Sequence, residues 1–184
     1  MSESANEATR PRVLVLGGGF AGVGAARNLG KAKADVDVVV VDNNNYHTFT
    51  PLLYQVATDL LGTATVGHPL RDLFHGQDNV LVHTCRVTAV NLDKREVEFD
   101  GMPPLGYDFL VLALGAQVNF FGVAKAGDHA FPLYTLADAV RLKEHILERW
   151  EAADKDPELI DDGALNVVVV GGGPTGVESA GAIA

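Results

Sequence analysis

The sequence contains only one cysteine, Cys85, and this scarcity excludes two classes of site. A single thiol cannot form an intrachain disulfide or supply a cysteine-based metal cluster. Cys85 stands in a stretch of alternating apolar residues, a pattern that favours a buried strand thiol over a reactive one. We therefore expect neither a metal site nor a dithiol reaction from these residues.

Basic residues are scarce too. The chain has 14 lysines and arginines against 24 aspartates and glutamates, which gives a net charge of −10. Such a chain lacks the basic stripe that releases counterions from phosphates, so nucleic acid is not an expected partner. The same charge disfavours unaided docking to an anionic bilayer.

Long hydrophobic runs are also missing, since no apolar stretch approaches the roughly 20 residues of a membrane-spanning helix. The N-terminus, MSESANEATRPR, is polar and acidic, unlike a signal peptide. We expect a cytoplasmic location and a disordered lead-in over residues 1–11.

Glycine and β-branched residues are plentiful, and residues 12–42 combine them in a recognisable order. An apolar run, RVLVL, ends at the turn GGGFAG of residues 17–22, and an Ala/Leu-rich helical pattern follows. A second apolar run over residues 36–41 ends in Asp42. The order strand, glycine turn, helix, strand and acid is the one that holds a dinucleotide.

Each residue type in this segment suits that ligand. Gly17 permits the tight turn, Gly19 lets the diphosphate approach the backbone, and Gly22 lets the helix pack close to the strand. Asp42 follows Gly22 by about 20 residues, where an acid that binds ribose hydroxyls is expected. The alternative is a purely structural βαβ unit, because glycine turns of this kind also occur without a ligand.

A second glycine fingerprint lies near the end of the chain. The run NVVVV over residues 166–170 leads into GGGPTGVESAGAIA, which contains Gly171, Gly173 and Gly176. Two fingerprints predict two dinucleotides, and two adjacent dinucleotides predict hydride exchange between them. The chain ends at Ala184 inside this second helix, so we expect an N-terminal fragment of a longer protein.

Glu178, two residues after Gly176, has two interpretations. A carboxylate near the start of a helix often only stabilises the helix dipole. If a second nucleotide lies over this turn, the carboxylate could orient the nicotinamide or relay a proton. We favour the functional interpretation.

The loop after Asp42 also lies where a cofactor could bind, because it follows the carboxyl end of the second strand. Tyr46, His47, Thr48 and Gln55 are candidates to line that crevice, and Pro51 can begin a helix. An ordinary capped loop explains the same residues equally well.

The remaining pattern predicts an α/β fold: a Rossmann-like domain with a parallel sheet and an antiparallel insertion, then the start of a second Rossmann-like domain. We expect a first domain over residues 12–118, and a connecting region with the start of the second domain over residues 119–184. Further expected elements are a short helix at residues 70–74, a strand-like stretch at 80–90, a hairpin around residues 93–94, a buried strand at 107–114 and a helix at 136–150.

Three stretches give the chain its resemblance to a known family: VLGGGFAGVGAARNL, YHTFTPLLYQVAT and VVVVGGGPTGVESAGAIA. With YDFLVLALGA and FPLYTLADAVRLKEHI, they resemble the type II NADH dehydrogenases. These are single-subunit, non-pumping NADH:quinone oxidoreductases of the two-dinucleotide-binding flavoprotein superfamily. The glycine fingerprints identify only the superfamily, whereas HTFTPLLYQVAT narrows the match to this family and its close relatives.

The resemblance implies FAD at the first glycine turn and NADH at the second, with hydride passing to the flavin and two electrons on to a membrane quinone. It implies that Val87 meets the adenine, that residues 113–115 border the flavin diphosphate, and that Thr48 and Gln55 lie by the flavin and the quinone approach. Glu178 would lie near the nicotinamide. The expected cofactor-binding residues are Gly17, Gly18, Gly19, Phe20, Ala21, Gly22, Asp42, Asn43, Val87, Ala113, Gly115, Gly171, Gly173 and Gly176, and the expected catalytic residues are Glu178, Gln55 and Thr48.

In the family, later segments complete the flavin site and attach the enzyme to the cytoplasmic face of the membrane, so this attachment is expected of the parent protein. For the oligomeric state, a homodimer is one alternative. Leu114 departs from the Thr that many members of the superfamily carry before the glycine. Rival interpretations are a sulfide:quinone oxidoreductase, a ferredoxin or rubredoxin reductase, and a non-catalytic nucleotide-binding module; a disulfide reductase is nearly excluded by the lone cysteine.

Overall fold

The computed structural model describes residues 10–32, 35–123 and 125–184. They form two compact units: the first contains the described residues up to His47 and His68–Ala116, and the second contains Thr48–Gly67 and Gln117–Ala184. The domain division expected at residue 118 stays a prediction, and the units differ from it in grouping Thr48–Gly67 with the C-terminal part. Of the expected lead-in, residues 1–9 lie outside the described residues.

The strands and helices follow in chain order. The strands are β1 (Arg12–Leu16), β2 (Asp37–Asp42), β3 (Tyr46–Thr48), β4 (Gly67–Pro69), β5 (Val80–Thr84), β6 (Val87–Asn91), β7 (Glu96–Phe99), β8 (Leu105–Gly106) and β9 (Phe109–Leu112). The helices are α1 (Phe20–Lys31), α2 (Leu53–Ala57), α3 (Thr63–Val66), α4 (Ala126–His129), α5 (Leu136–Lys155), α6 (Glu158–Asp161) and α7 (Pro174–Ile183), with 3₁₀ turns at Thr50–Leu52 and Arg71–Phe74.

The first unit is built on a parallel sheet of order β5-β2-β1-β9. Leu16 pairs with Val41 on one side and with Leu112 on the other, so β1, β2 and β9 end at the same edge. The strands are rich in buried valine and leucine, as expected for a parallel sheet that is covered on both faces. The predicted Rossmann-like architecture is confirmed.

Side chains alternate between the two faces of this sheet. Val13 and Val15 pack with Val23 and Ala26 of α1. Leu14 and Leu16 point to the other face, which the antiparallel strands cover through Val97 and Phe99. The expected antiparallel insertion is therefore present as the sheet β6-β7-β8.

The stretch at residues 80–90, expected to be one strand-like element, is two strands in different sheets. The Cys85 N–H donates to the Asp42 carbonyl at 2.9 Å, at the end of the β5–β2 pairing. At the next residue, the Arg86 carbonyl accepts the Asp100 N–H at 2.9 Å, where the antiparallel insertion begins. The break lies at the point where the chain changes pairing partners.

The core of the second unit lies between α2 and α5. Leu53, Val56 and Val66 are buried together with Ala139 of α5. A capping box fixes the start of α5, because Thr135 accepts the Asp138 N–H and the Asp138 carboxylate accepts the Thr135 N–H. This helix continues five residues beyond the predicted end at residue 150.

Two expected strands differ from the sequence pattern. The strand expected at residues 107–114 is shorter, and as an edge strand it leaves Phe109 60% and Leu112 62% exposed. Residues 166–170 form no strand with the described residues, and Val168 and Val170 are 84% and 94% exposed. Both runs have the composition of buried strands, but among the described residues they lack the neighbours that would cover them. No helix in the described part of the chain is long and apolar enough to span a bilayer.

Candidate cofactor site

The first glycine turn lies at the carboxyl edge of the parallel sheet. The Gly17 N–H donates to the Val41 carbonyl at 2.7 Å, and the Ala113 N–H donates to the Leu16 carbonyl at 2.8 Å. Gly17 has a φ of +108°, and a Cβ there would collide with the Ala113 carbonyl. Only glycine suits this position, because both the backbone conformation and the packing exclude a side chain.

Helix α1 begins directly after this turn. Gly19 is extended (φ −75°, ψ −169°), and its carbonyl accepts the Val23 N–H at 2.9 Å. The first turn of α1 carries no acidic residue, and Gly19 supplies no side-chain cap. The positive end of the helix dipole is therefore not neutralised by a carboxylate from its own first turn, which favours an anion there. A Cβ at Gly22 would collide with the Gly17 carbonyl, so glycine sets the close approach of α1 to the turn.

A cleft of about 570 Å³ opens over the turn. It is lined by Gly19, Phe20, Ala21, Leu112, Ala113, Leu114 and Gly115. A Cβ added at Gly19 would meet no atom within 4 Å, so open space lies in front of this backbone. The residues present thus fit a diphosphate. Six of the seven lining residues come from the two segments that the sequence pointed to, residues 17–22 and 113–115, and the seventh is Leu112 at the end of β9.

Asp42 stands at the tip of β2, as predicted. Its Oδ2 accepts the Gly18 N–H at 2.6 Å and its Oδ1 accepts the Asn44 N–H at 2.7 Å. A carboxylate has about four acceptor positions, so it can hold both backbone groups and still accept from ribose hydroxyls. The acid has a structural function that the sequence did not reveal, and its contact with ribose stays a prediction. Asn43 is exposed beside it.

His47 is a residue whose partner the sequence analysis missed. It is 8% exposed, and its Nδ1 lies 2.9 Å from the Gly18 carbonyl oxygen. Its ring also meets Phe20 edge-on, with 5.0 Å between centroids. The sequence offered one signal, a histidine close behind the acid at the tip of β2, but not its partner 29 residues earlier.

The second glycine turn has the same local form as the first. Gly171 has a φ of +121°, and a Cβ at Gly176 would collide with the Gly171 carbonyl. Gly173 precedes Pro174 at the start of α7, where proline is well tolerated. A Cβ at Gly173 would meet no atom within 4 Å. Glu178 is exposed in the second turn of α7 rather than in the first.

The other predicted site residues are half-buried. The Gln55 side-chain amide in α2 donates to the Tyr54 hydroxyl at 2.8 Å, and Thr48 ends β3. Val87 begins β6 and packs against the sheet core. Cys85, expected in a buried strand, instead lies between β5 and β6 and is half-buried, because the chain changes pairing partners there. Its partial burial raises the pKa of the thiol. The roles assigned to Thr48, Gln55, Val87 and Glu178 stay predictions.

Comparison with known proteins agrees with this geometry. The chain is 38% identical to the type II NADH:quinone oxidoreductase NdhA of Mycobacterium tuberculosis, over 95% of its own length and 37% of the relative. It is 37% identical to Ndh of the same organism, over 95% of its length and 38% of the relative. The chain thus spans less than two fifths of the length of these relatives.

A solved structure, NDH2 of Plasmodium falciparum in complex with NADH, has the same fold. Its TM-score is 0.79 at 24% identity, over 92% of this chain and 36% of that one. The resemblance to type II NADH dehydrogenases is confirmed. The family model described as pyridine nucleotide-disulphide oxidoreductase matches residues 11–184, and the chain therefore belongs to the pyridine nucleotide-disulphide oxidoreductase family.

Proposed function

We propose that the protein is a flavin-dependent NADH:quinone oxidoreductase that holds FAD at the first glycine turn and NADH at the second. The observation that carries the proposal is the pair of glycine turns. In each turn a first glycine has a left-handed φ, a later glycine packs against the carbonyl of the first, and a helix begins within the turn. The names of the Mycobacterium tuberculosis relatives and the NADH complex of the Plasmodium protein support it.

At the first turn, the open backbone of Gly19 and the start of α1 would bind the diphosphate of FAD. Asp42 would accept hydrogen bonds from the adenosine ribose, with Asn43 beside it. The backbone at Val87 would meet the adenine. Ala113 and Gly115, which line the cleft together with Phe20 and Ala21, would border the diphosphate.

At the second turn, Gly171, Gly173 and Gly176 would bind the diphosphate of NADH in the same manner. Glu178 would orient the nicotinamide, and Thr48 and Gln55 would act by the flavin and the quinone. The chemistry that the cofactors supply is hydride transfer from NADH and delivery of two electrons to a quinone. The contribution of the protein is orientation and electrostatic stabilisation.

The proposed acceptor, a quinone, is dissolved in the membrane. We therefore propose a peripheral enzyme on the cytoplasmic face. A homodimer is the assembly to test, by light scattering of the purified protein. Nothing in the proposal requires a metal ion.

The experiment that tests this function is a visible spectrum of the purified full-length protein. We expect a bound flavin that NADH bleaches under anaerobic conditions and a soluble quinone restores, and chromatography of the released cofactor should identify FAD. A colourless protein that takes up no added FAD would contradict the proposal and favour a non-catalytic module. A flavin that NADH leaves oxidised and sulfide reduces would favour a sulfide:quinone oxidoreductase.

A further inference from the structure

We propose that His47 is a positioning residue of the FAD site. Its Nδ1–H holds the Gly18 carbonyl and thereby fixes the direction of the Gly19 N–H that faces the diphosphate. This inference deepens the proposed function and rests on FAD at the first glycine turn. Nothing in the sequence pattern assigns His47 this contact.

The burial of His47 points to a specific partner. Among the described residues His47, at 8% exposed, is the single polar or charged residue that the structure buries. Burying an imidazole is costly unless its nitrogens are hydrogen-bonded. The Nδ1 lies 2.9 Å from the Gly18 carbonyl oxygen, and because a carbonyl only accepts, Nδ1 must carry the proton.

The planar peptide bond links the direction of the Gly18 carbonyl to the direction of the Gly19 N–H. The peptide between Gly18 and Gly19 is trans and planar, so its C=O and its N–H point in opposite directions. With the Gly18 oxygen directed at the buried His47, the Gly19 N–H points away from it. Gly19 is exposed and lines the cleft. The histidine therefore sets the orientation of a donor on the ligand side of the turn.

Three further contacts hold this arrangement in place. The Gly18 N–H donates to Asp42 Oδ2 at 2.6 Å, so Gly18 is held through both of its backbone groups. A Cβ at Gly18 would lie 2.7 Å from the Leu70 side chain, so Gly18 packs closely against Leu70. The His47 ring also meets Phe20, the first residue of α1, at an interplanar angle of 86°. His47 thus contacts both the turn and the helix that the turn leads into.

The decisive experiment compares three substitutions in the full-length protein. The side-chain nitrogen of asparagine can take the place of Nδ1, whereas that of glutamine reaches the place of Nε2, and leucine has no donor. FAD is first removed from each protein and then titrated back. We expect the FAD affinity of His47→Asn to lie within about threefold of that of the wild type. His47→Gln and His47→Leu should bind about tenfold more weakly, which corresponds to about 1.4 kcal/mol. His129→Leu, at an exposed histidine of α4, is the matched control and should bind as the wild type does.

Equal affinities for all three variants, or an asparagine variant as weak as the leucine variant, would overturn the positioning role. If the leucine variant does not fold, the asparagine–glutamine pair decides. A wild type that binds no FAD would instead overturn the proposed function.

A measurement on the FAD-free protein distinguishes failure of the His47 contact from failure of the proposed FAD site. The ¹⁵N chemical shifts of the His47 ring report which nitrogen carries the proton, and we expect a protonated Nδ1 in the cofactor-free protein. A ring protonated only at Nε2 would overturn the contact itself.

Discussion

The two glycine turns of this chain have the same local geometry and different surroundings. Gly17 and Gly171 share a left-handed φ, and Gly22 and Gly176 each stand against a turn carbonyl. The first turn is enclosed by β2, by β9, and by the side chains of Asp42 and His47. The second follows residues 166–170, which form no strand with the described residues. The glycine spacing therefore fixes the turn, while long-range contacts decide whether the turn is held in place.

The largest effect should come from filling the space between helix and turn. Gly22→Ala places a Cβ against the Gly17 carbonyl inside a packed sheet edge, so we expect a loss of about 3 kcal/mol in the free energy of unfolding. Gly176→Ala creates the same collision in more exposed surroundings that can shift, and should cost about 1 kcal/mol. Urea unfolding followed by circular dichroism measures both. Equal costs would mean that the two turns are equally constrained.

The next effect concerns binding rather than stability. Gly19→Ala meets open space and has an ordinary negative φ, so the free energy of unfolding should change by less than about 0.5 kcal/mol. The added methyl stands where the diphosphate approaches, and FAD affinity should fall by about 100-fold, roughly 2.7 kcal/mol. Gly24→Ala in the middle of α1 is the matched control, because its Cβ also meets nothing and should only stabilise the helix. A Gly19→Ala protein that binds FAD normally would remove this turn from the site.

Replacing the acid near the first turn should affect stability, whereas replacing the acid near the second turn should affect only function. Asp42 accepts two backbone N–H groups, and Asp42→Ala should destabilise the protein by about 2 kcal/mol as well as weakening FAD binding. Glu178 is exposed, and Glu178→Ala should leave the free energy of unfolding within about 0.5 kcal/mol while lowering turnover with NADH. Thermal unfolding and steady-state kinetics on both variants separate the two outcomes. Destabilisation by Glu178→Ala would show that this acid has a structural role as well.

The sequence was informative wherever the structure depends on neighbours along the chain. The strand–turn–helix unit, the acid at the tip of β2 and the antiparallel insertion follow from local periodicity and glycine spacing, and all three are present. The sequence was uninformative where distant segments meet. The change of partner after Cys85, the exposed residues Phe109 and Leu112 of β9 and the pairing of His47 with Gly18 depend on which segments lie side by side, and composition does not record that.

The smallest predicted effect concerns the Cys85 thiol, whose reactivity reports how accessible to solvent the sheet edge beside the first turn is. The Cys85 N–H donates to the Asp42 carbonyl, and burial raises the pKa of the Cys85 thiol. The thiol therefore ionises more readily in the unfolded chain, so its contribution to stability is complete below the unfolded pKa and is lost as the pH rises through the folded pKa.

Alkylation by iodoacetamide at mildly alkaline pH should be slower in the native protein than in urea, because only the thiolate reacts. The urea midpoint should fall slightly more steeply with alkaline pH in the wild type than in Cys85→Ser, which has no thiol to ionise. Identical slopes with rapid native alkylation would mean that this edge is open, and the contrast between the enclosed first turn and the exposed second would weaken accordingly.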